Sequence, residues 1–241
     1  MYLTYVIIFV AAFIASTTQR VTGFGFGMLF MTVSPHLMPS YPEATALSGL
    51  LALVCAVVTG IQYFRFVPWK KLVPILITFL VVSFFAVNLV GRLDSSLMKK
   101  ALGGILIFLS FYFGFIRNRI RMRPSLPVQV GMGTLSGLTG GLFAMQGPPA
   151  VIYFVSCTES KEEYMAITQW FFIISNCFMT GERAANGFLT SNVLWGWVAG
   201  VAAVLLGLFV GGRIYVRVPI SAVRKCVYVF IGVAGIIALL S

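Results

Sequence analysis

The sequence predicts an all-α polytopic membrane protein made of two homologous halves. Three observations predict it: the composition, the lengths of the apolar runs, and a motif that occurs twice. Of 241 residues 59% are hydrophobic and only 10% charged, with a mean hydropathy of +0.98, against roughly 25% charged residues in soluble globular chains. Apolar runs follow one another from end to end, and no segment between them is long or polar enough for a soluble domain. Residues 1–241 therefore read as a single membrane domain.

Plain apolar segments near 43–64, 72–90, 98–116, 166–181, 192–211 and 224–240 each approach the roughly 20 residues that cross about 30 Å of hydrocarbon. Two further segments, 2–38 and 128–157, are apolar but interrupted, by "TTQRVTGFGFG" in one and by "SGLTGG" with "MQGPPA" in the other. They read as broken helices. "VTGFGFGM" (21–28) aligns without gaps to "LTGGLFAM" (138–145), matching at Thr22/Thr139, Gly23/Gly140, Phe26/Phe143 and Met28/Met145. Later landmarks recur in the same order, with Gly91-Arg92 and Gly212-Arg213, then "MKK" (98–100) and "VRK" (223–225), each before a last apolar span. The chain thus divides into repeat 1 (1–116), a basic linker "RNRIRMRPSLP" (117–127) and repeat 2 (128–241).

Each broken segment can cross the membrane once or dip in and return as a re-entrant hairpin, and the charges discriminate. With single crossings the loop Lys and Arg split eight against eight, Arg183 among them, which the positive-inside tendency does not expect. With hairpins each half has three spans, the halves are inverted repeats, and twelve basic residues face Arg92, Lys99, Lys100 and Arg183. Some 30 residues, as in 128–157, also suit two half-helices of about 13 residues reaching ~20 Å inward. Inverted repeats with hairpins are therefore expected, with the linker cytoplasmic.

A broken helix inside the hydrocarbon layer has a chemical use. Unpaired peptide groups in lipid cost several kcal/mol each, so unwound backbone survives only where protein or a water-filled cavity surrounds it. Gly23, Gly25 and Gly27 permit a turn and leave backbone N–H groups accessible. In the second copy Gln146, Gly147, Pro148 and Pro149 begin a half-helix that should run to about Cys157. Two half-helix N-termini meeting near the midplane would suit a small anion between the repeats.

Arg20 sharpens that expectation, because a buried arginine needs a counter-charge and the chain has only six acids, none inside a span. A transported anion would supply it. The alternatives are that Arg20 snorkels to an interface, bonds backbone carbonyls or pairs with Glu43. Gln19, Thr17, Thr18, Thr22, Ser136, Thr139 and Gln146 can add hydrogen bonds or cap the broken ends, and Gly140 belongs to the second motif. Gln169 and Asn176, on one span, are candidate ligands or helix-packing residues. His36, the only histidine, can relay a proton or sit as an interfacial residue.

Other classes fit less well. The 17 Lys and Arg form no continuous basic face, so nucleic acid is not expected as a partner and the net charge of +11 reads as topological. The four cysteines are far apart in apolar context and form no metal-ligand spacing, and nothing calls for a cofactor. "MYLTYVIIFVAAFIAS" has no basic residue before its apolar core and is expected to stay in the mature protein. An intramembrane enzyme, with "TLSG" (134–137) holding a nucleophile, lacks a nearby histidine or paired acids.

The residues also resemble a known family, the sulfite exporter TauE/SafE family of membrane permeases. The likeness lies in "VTGFGFGM" followed by "SP" (34–35), in "GLTGGLFAMQGPPAVIYF" (137–154), and in the basic turns before the closing span of each half. It runs over essentially the whole chain, although the family's glycine cluster is usually denser than "GGLFAMQG". The resemblance implies transport of sulfite, organosulfonates or related small anions across a bacterial inner membrane. Sulfur enters through the resemblance alone. A secondary carrier is the leading expectation, since no nucleotide-binding loop occurs. A passive anion channel and a non-transporting assembly subunit are the alternatives, the partners being the anion, the bilayer and, in some arrangements, further copies of the chain.

Overall fold

The computed structural model describes residues 2–111 and 125–217 and the single position 236. Most of the linker, Cys226, "VRK" and, apart from position 236, the span expected at 224–240 lie outside the described residues. Within them the chain is helical: α1 (Tyr2–Thr22), α2 (Phe26–Phe30), α3 (Ser34–Leu37), α4 (Tyr41–Gly60) with a 3-10 extension to Phe66, α5 (Trp69–Val90), α6 (Ser95–Phe111), α7 (Leu126–Phe143), α8 (Gly147–Cys157), α9 (Lys161–Ala185) and α10 (Ser191–Arg217). Among the described residues four segments are long and apolar enough to cross a membrane: Leu3–Thr22, Tyr41–Phe66, Trp69–Val90 and Ser191–Ile214. Their outer faces carry large apolar side chains in the open, such as Val73, Ile77, Val81 and Phe85 on α5, as a lipid-facing surface requires.

Both breaks fall where the glycine motifs lie, but the arms are uneven. Instead of paired half-helices of about 13 residues, α1 has 21 residues and α2 only 5, while α7 has 18 and α8 has 11. Length alone lets α1 cross the membrane. The first turn needs left-handed backbone at Gly23 (φ 88°) and Gly25 (φ 109°), conformations that glycine adopts without a Cβ clash. The second break places Ala144 there instead, at φ 53°, which costs an L-residue about 1–2 kcal/mol. From Gly147 the helix restarts with Pro148 and Pro149 in its first turn and ends at Cys157, as expected from the sequence.

The packing repeats itself when the halves are exchanged. α1 packs on α10 and α5 on α7; α4 meets α10 as α5 meets α9; α2 touches α4 as α8 touches α9; and α4 packs on α9 at the centre. Each half therefore lends its broken segment to the other half's long helix. Small residues make the close seams. On α7, Gly133 and Gly137 lie against the Ile75 and Phe79 carbonyls of α5, where a Cβ would come within 2.8 and 3.0 Å; on α10, Gly207 and Gly211 face Phe13, Ser16, Thr17 and Arg20 of α1. Without a hydrophobic force between helices in lipid, such backbone approach is what drives association.

Matching helix starts lock this arrangement. Ser40 accepts from the Glu43 N–H at 3.4 Å and Ser160 from the Glu163 N–H at 3.0 Å, two S-x-x-E capping signatures at equivalent places. Each glutamate then reaches the start of the other half's long helix. Glu163 pairs with Lys71 at 2.8 Å, whose ammonium also donates to the Cys157 carbonyl at 2.8 Å, and Glu43 accepts from the Thr190 hydroxyl at 3.0 Å. Ser160→Ala should lower stability by about 1 kcal/mol, read as a Tm about 2–4 °C lower.

Candidate functional site

The two breaks meet. Gly27 lies directly against the Ala144 carbonyl, with no room for a Cβ between them. Beside this contact is a small cavity of about 20 Å³ lined by Gln19, Gly25, Phe26, Gly27 and Met28 from the first break, Ala144 to Pro148 from the second, and Ala52, Phe172 and Asn176 from α4 and α9. That is room for about one water-sized group, so a larger solute needs the two breaks to part. Among the expected residues, Gln19, Gly25, Gly27, Gln146, Gly147, Pro148 and Asn176 line it.

Others support the walls. The Gln19 side chain donates to Gln169 Oε1 at 3.3 Å and accepts from the Phe26 N–H at 3.3 Å, while Gln169 donates to the Gly23 carbonyl at 2.7 Å. This amide pair fixes the first turn from α9, across the repeats. Thr22 Oγ1 lies 2.9 Å from the Thr18 carbonyl and 2.6 Å from that of Phe24, and Tyr164 donates to the Thr22 carbonyl at 3.2 Å. Thr139 bonds back to its own helix at Leu135, 2.9 Å away. Ser136 is buried on α7, its hydroxyl without a partner.

Three expectations change. Arg20 does not line the cavity: its stem packs on Gly211 of α10, where a Cβ would lie 2.8 Å from Arg20 Cβ, and its guanidinium donates to Gln62 Oε1 at 2.8 Å in an exposed bond. Glu43 is held by Ser40 and Thr190 rather than by Arg20. His36 is exposed on α3, outside the spans and the cavity lining, and partial burial together with Lys99 holds its imidazole below the usual histidine range. The first half-helix also changes the electrostatics. With 5 residues, α2 sums few peptide dipoles, and one of its N–H groups, that of Phe26, is already taken by Gln19.

Among the described residues the fully buried cation is Arg183. It was expected in a loop because the apolar run of that span ends near residue 181, but α9 continues to Ala185 and buries Arg183 completely. Its Nη2 donates to the Gly140 carbonyl, at the end of α7, at 3.2 Å, and its Nε and Nη1 have no partner. Gly49 of α4 makes room for it: a Cβ there would lie 2.5 Å from Nη1 and 3.7 Å from Asn176 Oδ1, itself unpartnered. Gln169, Asn176 and Arg183 are seven residues apart in turn, so they form one stripe along α9. That spacing was readable in the sequence and is the signal that finds Arg183. Among the described residues the three free cysteines are buried at Cys55 and Cys157 and exposed at Cys177, and no group of His, Cys, Asp and Glu could hold a metal.

Comparison with known proteins gives this geometry its context. The model of the family described as sulfite exporter TauE/SafE matches residues 8–238. A protein of Cupriavidus necator described as "Probable sulfite/organosulfonate exporter TauE" is 23% identical over 202 residues, 81% of this chain and 78% of its own length. No solved structure matches the chain. A family match over nearly the whole length, on a helical bundle with lipid-compatible outer faces, makes the chain a multi-pass membrane transport protein that belongs to the sulfite exporter TauE/SafE family.

Proposed function

We propose that the protein is a secondary carrier for small sulfur-containing anions such as sulfite or organosulfonates, bound between the two breaks and exposed alternately to each side of a bacterial inner membrane. The observation that carries this reading is the shared cavity, which both repeats line with unwound backbone and amide side chains. Sites of this kind at repeat interfaces serve transporters that rock one half against the other. Gln19, Gln146 and Asn176 would supply hydrogen bonds to the anion, while Thr22, Gly23, Gly25, Gly140 and Gln169 would hold the walls. Sulfur is the family's contribution.

The exchange of contacts between halves is compatible with inverted repeats. With Arg183 removed from the loops, the hairpin topology sets twelve basic residues against Arg92, Lys99 and Lys100, a stronger positive-inside bias. The Lys71–Glu163 and Thr190–Glu43 contacts would then lie on opposite sides, as latches for the two access states.

Counterflow in proteoliposomes tests the proposal. Unlabelled sulfite or sulfoacetate on one side should drive labelled solute uphill, whereas a pore would only dissipate the gradient, and no flux of sulfite, sulfoacetate or taurine would refute the substrate class. Arg20→Ala should keep flux within about twofold of wild type, because its hydrogen bond to Gln62 lies at the exposed edge of the bundle and exposed contacts contribute at most about 1 kcal/mol.

A further inference from the structure

We propose that Arg183 is the counter-charge of the transported anion, and that the guanidinium and Asn176 form the anion subsite at the floor of the cavity. The inference rests on the carrier reading above and names the charge that reading lacks. A guanidinium that is fully buried carries a desolvation cost of several kcal/mol unless a partner offsets it. None offsets it here. The one ion pair among the described residues joins Lys71 to Glu163, Glu43 is committed to Ser40 and Thr190, and the ionisable group beside Arg183 is the buried phenol of Tyr41, whose hydroxyl has no hydrogen-bond partner either.

The free donors are the right kind, and although Arg183 does not itself line the cavity, a lining residue, Asn176, lies beside it. Nε and Nη1 are unpartnered donors on the two edges of the guanidinium, each of which can grip two oxygens of an oxyanion together with the remaining N–H of Nη2. Asn176 connects the guanidinium to the cavity, since it both lines that cavity and, through Oδ1, borders the gap left by the missing Gly49 side chain beside Nη1; its Nδ2, which donates to the Phe172 carbonyl at 2.9 Å, keeps a second N–H for the anion. The third corner of the guanidinium is tethered to the Gly140 carbonyl, which already accepts from the Ala144 N–H at 3.0 Å. The charge is thereby attached to the second break itself. An anion that drew Arg183 toward the cavity would pull on the turn at Ala144, which faces Gly27 of the first break, and so tie occupancy to the relation of the two halves.

The test uses the full-length protein in detergent, with sulfite as the probe and potassium chloride at equal ionic strength as the control. Sulfite should raise the Tm of wild type and of Arg20→Ala equally, beyond the effect of chloride. Arg183→Gln should weaken sulfite binding about 100-fold, the range seen when one member of a buried charge pair is removed, and Arg183→Lys, which keeps the charge but not the fork, should weaken it about tenfold. A purely structural role would lower the Tm of the variants without changing its response to sulfite. If Arg183→Gln does not fold, Arg183→Lys and Gly49→Ala decide: the added methyl displaces Nη1 without removing charge and should weaken binding about tenfold. Unchanged sulfite affinity in folded Arg183→Gln, or in both of the milder variants, overturns the inference and leaves the carrier standing. Wild type that neither binds nor moves any sulfur anion overturns both.

Discussion

Gly27→Val is expected to abolish transport while the protein still reaches the membrane. The residue has ordinary backbone, so the obstacle is space: its missing side chain is where the Ala144 carbonyl sits. A carbonyl cannot rotate away as a side-chain tip can, so valine must push the two breaks apart at the cavity they share. Overpacking of this kind costs about 1–3 kcal/mol, which a bundle with unaltered helix seams should survive. Displacement of about 1 Å in a binding site commonly costs about 100-fold in rate, so flux should fall by that factor with a monodisperse elution profile retained. Gly25 offers the contrast, because its surroundings are open to 3.8 Å but its φ is 109°, so Gly25→Ala should fail through backbone strain. Adding Ala144→Gly should partly rescue Gly27→Ala, by relieving the left-handed alanine and letting its carbonyl shift, and should do nothing for Gly25→Ala. Equal rescue of both would refute the direct contact.

Gly207→Leu is expected to be the most damaging single change, with loss of the assembled protein itself. Gly207 lies against Ser16 and the Phe13 carbonyl of α1, and its own carbonyl accepts from the Thr17 hydroxyl at 3.1 Å. A leucine would wedge the seam open along its length and remove the dispersion contacts that join the helices. Aggregation on size-exclusion chromatography and a collapse in membrane yield would report it. Gly137→Leu should do the same to the α5–α7 seam, where the Phe79 carbonyl leaves 3.0 Å. Gly131→Leu and Gly104→Leu, with nothing within 4 Å of a Cβ, should be tolerated. If all four behaved alike, helix propensity rather than packing would be the cause.

Much of this fold was legible because lipid sets simple demands. A span must be about 20 apolar residues, which located α4, α5 and α10 within a few residues, and breaks in such a run stand out as "TGFGFG" and "AMQGPP" do. What faces what was harder to read. Helices apolar all round carry little directional signal, so the glycines of α7 and α10 gave no hint that each faces the other half. The site was half legible for the same reason. The backbone motifs marked the cavity, but Arg183 lies beyond the apolar run, in "TGERAA", and polar residues at a span's end normally mean solvent. Its burial depends on Gly49, 134 positions away in the chain, and on α9 running at the bundle's centre rather than its rim. Arg20 misled in the opposite sense: it sits among apolar residues in sequence, yet its helix ends beside Gln62 at the surface.

The crossed packing also constrains biosynthesis. α1 finds its main partner in α10, which begins at Ser191, long after α1 ends at Thr22. At about 5–20 residues per second, a newly inserted α1 spends roughly 10–30 s in the bilayer with its α10-facing side uncovered. α5 waits less for α7, and neither half can complete its own interfaces. Two halves made as separate polypeptides in one cell should therefore find each other and restore the whole, whereas either made alone should be cleared by membrane proteases.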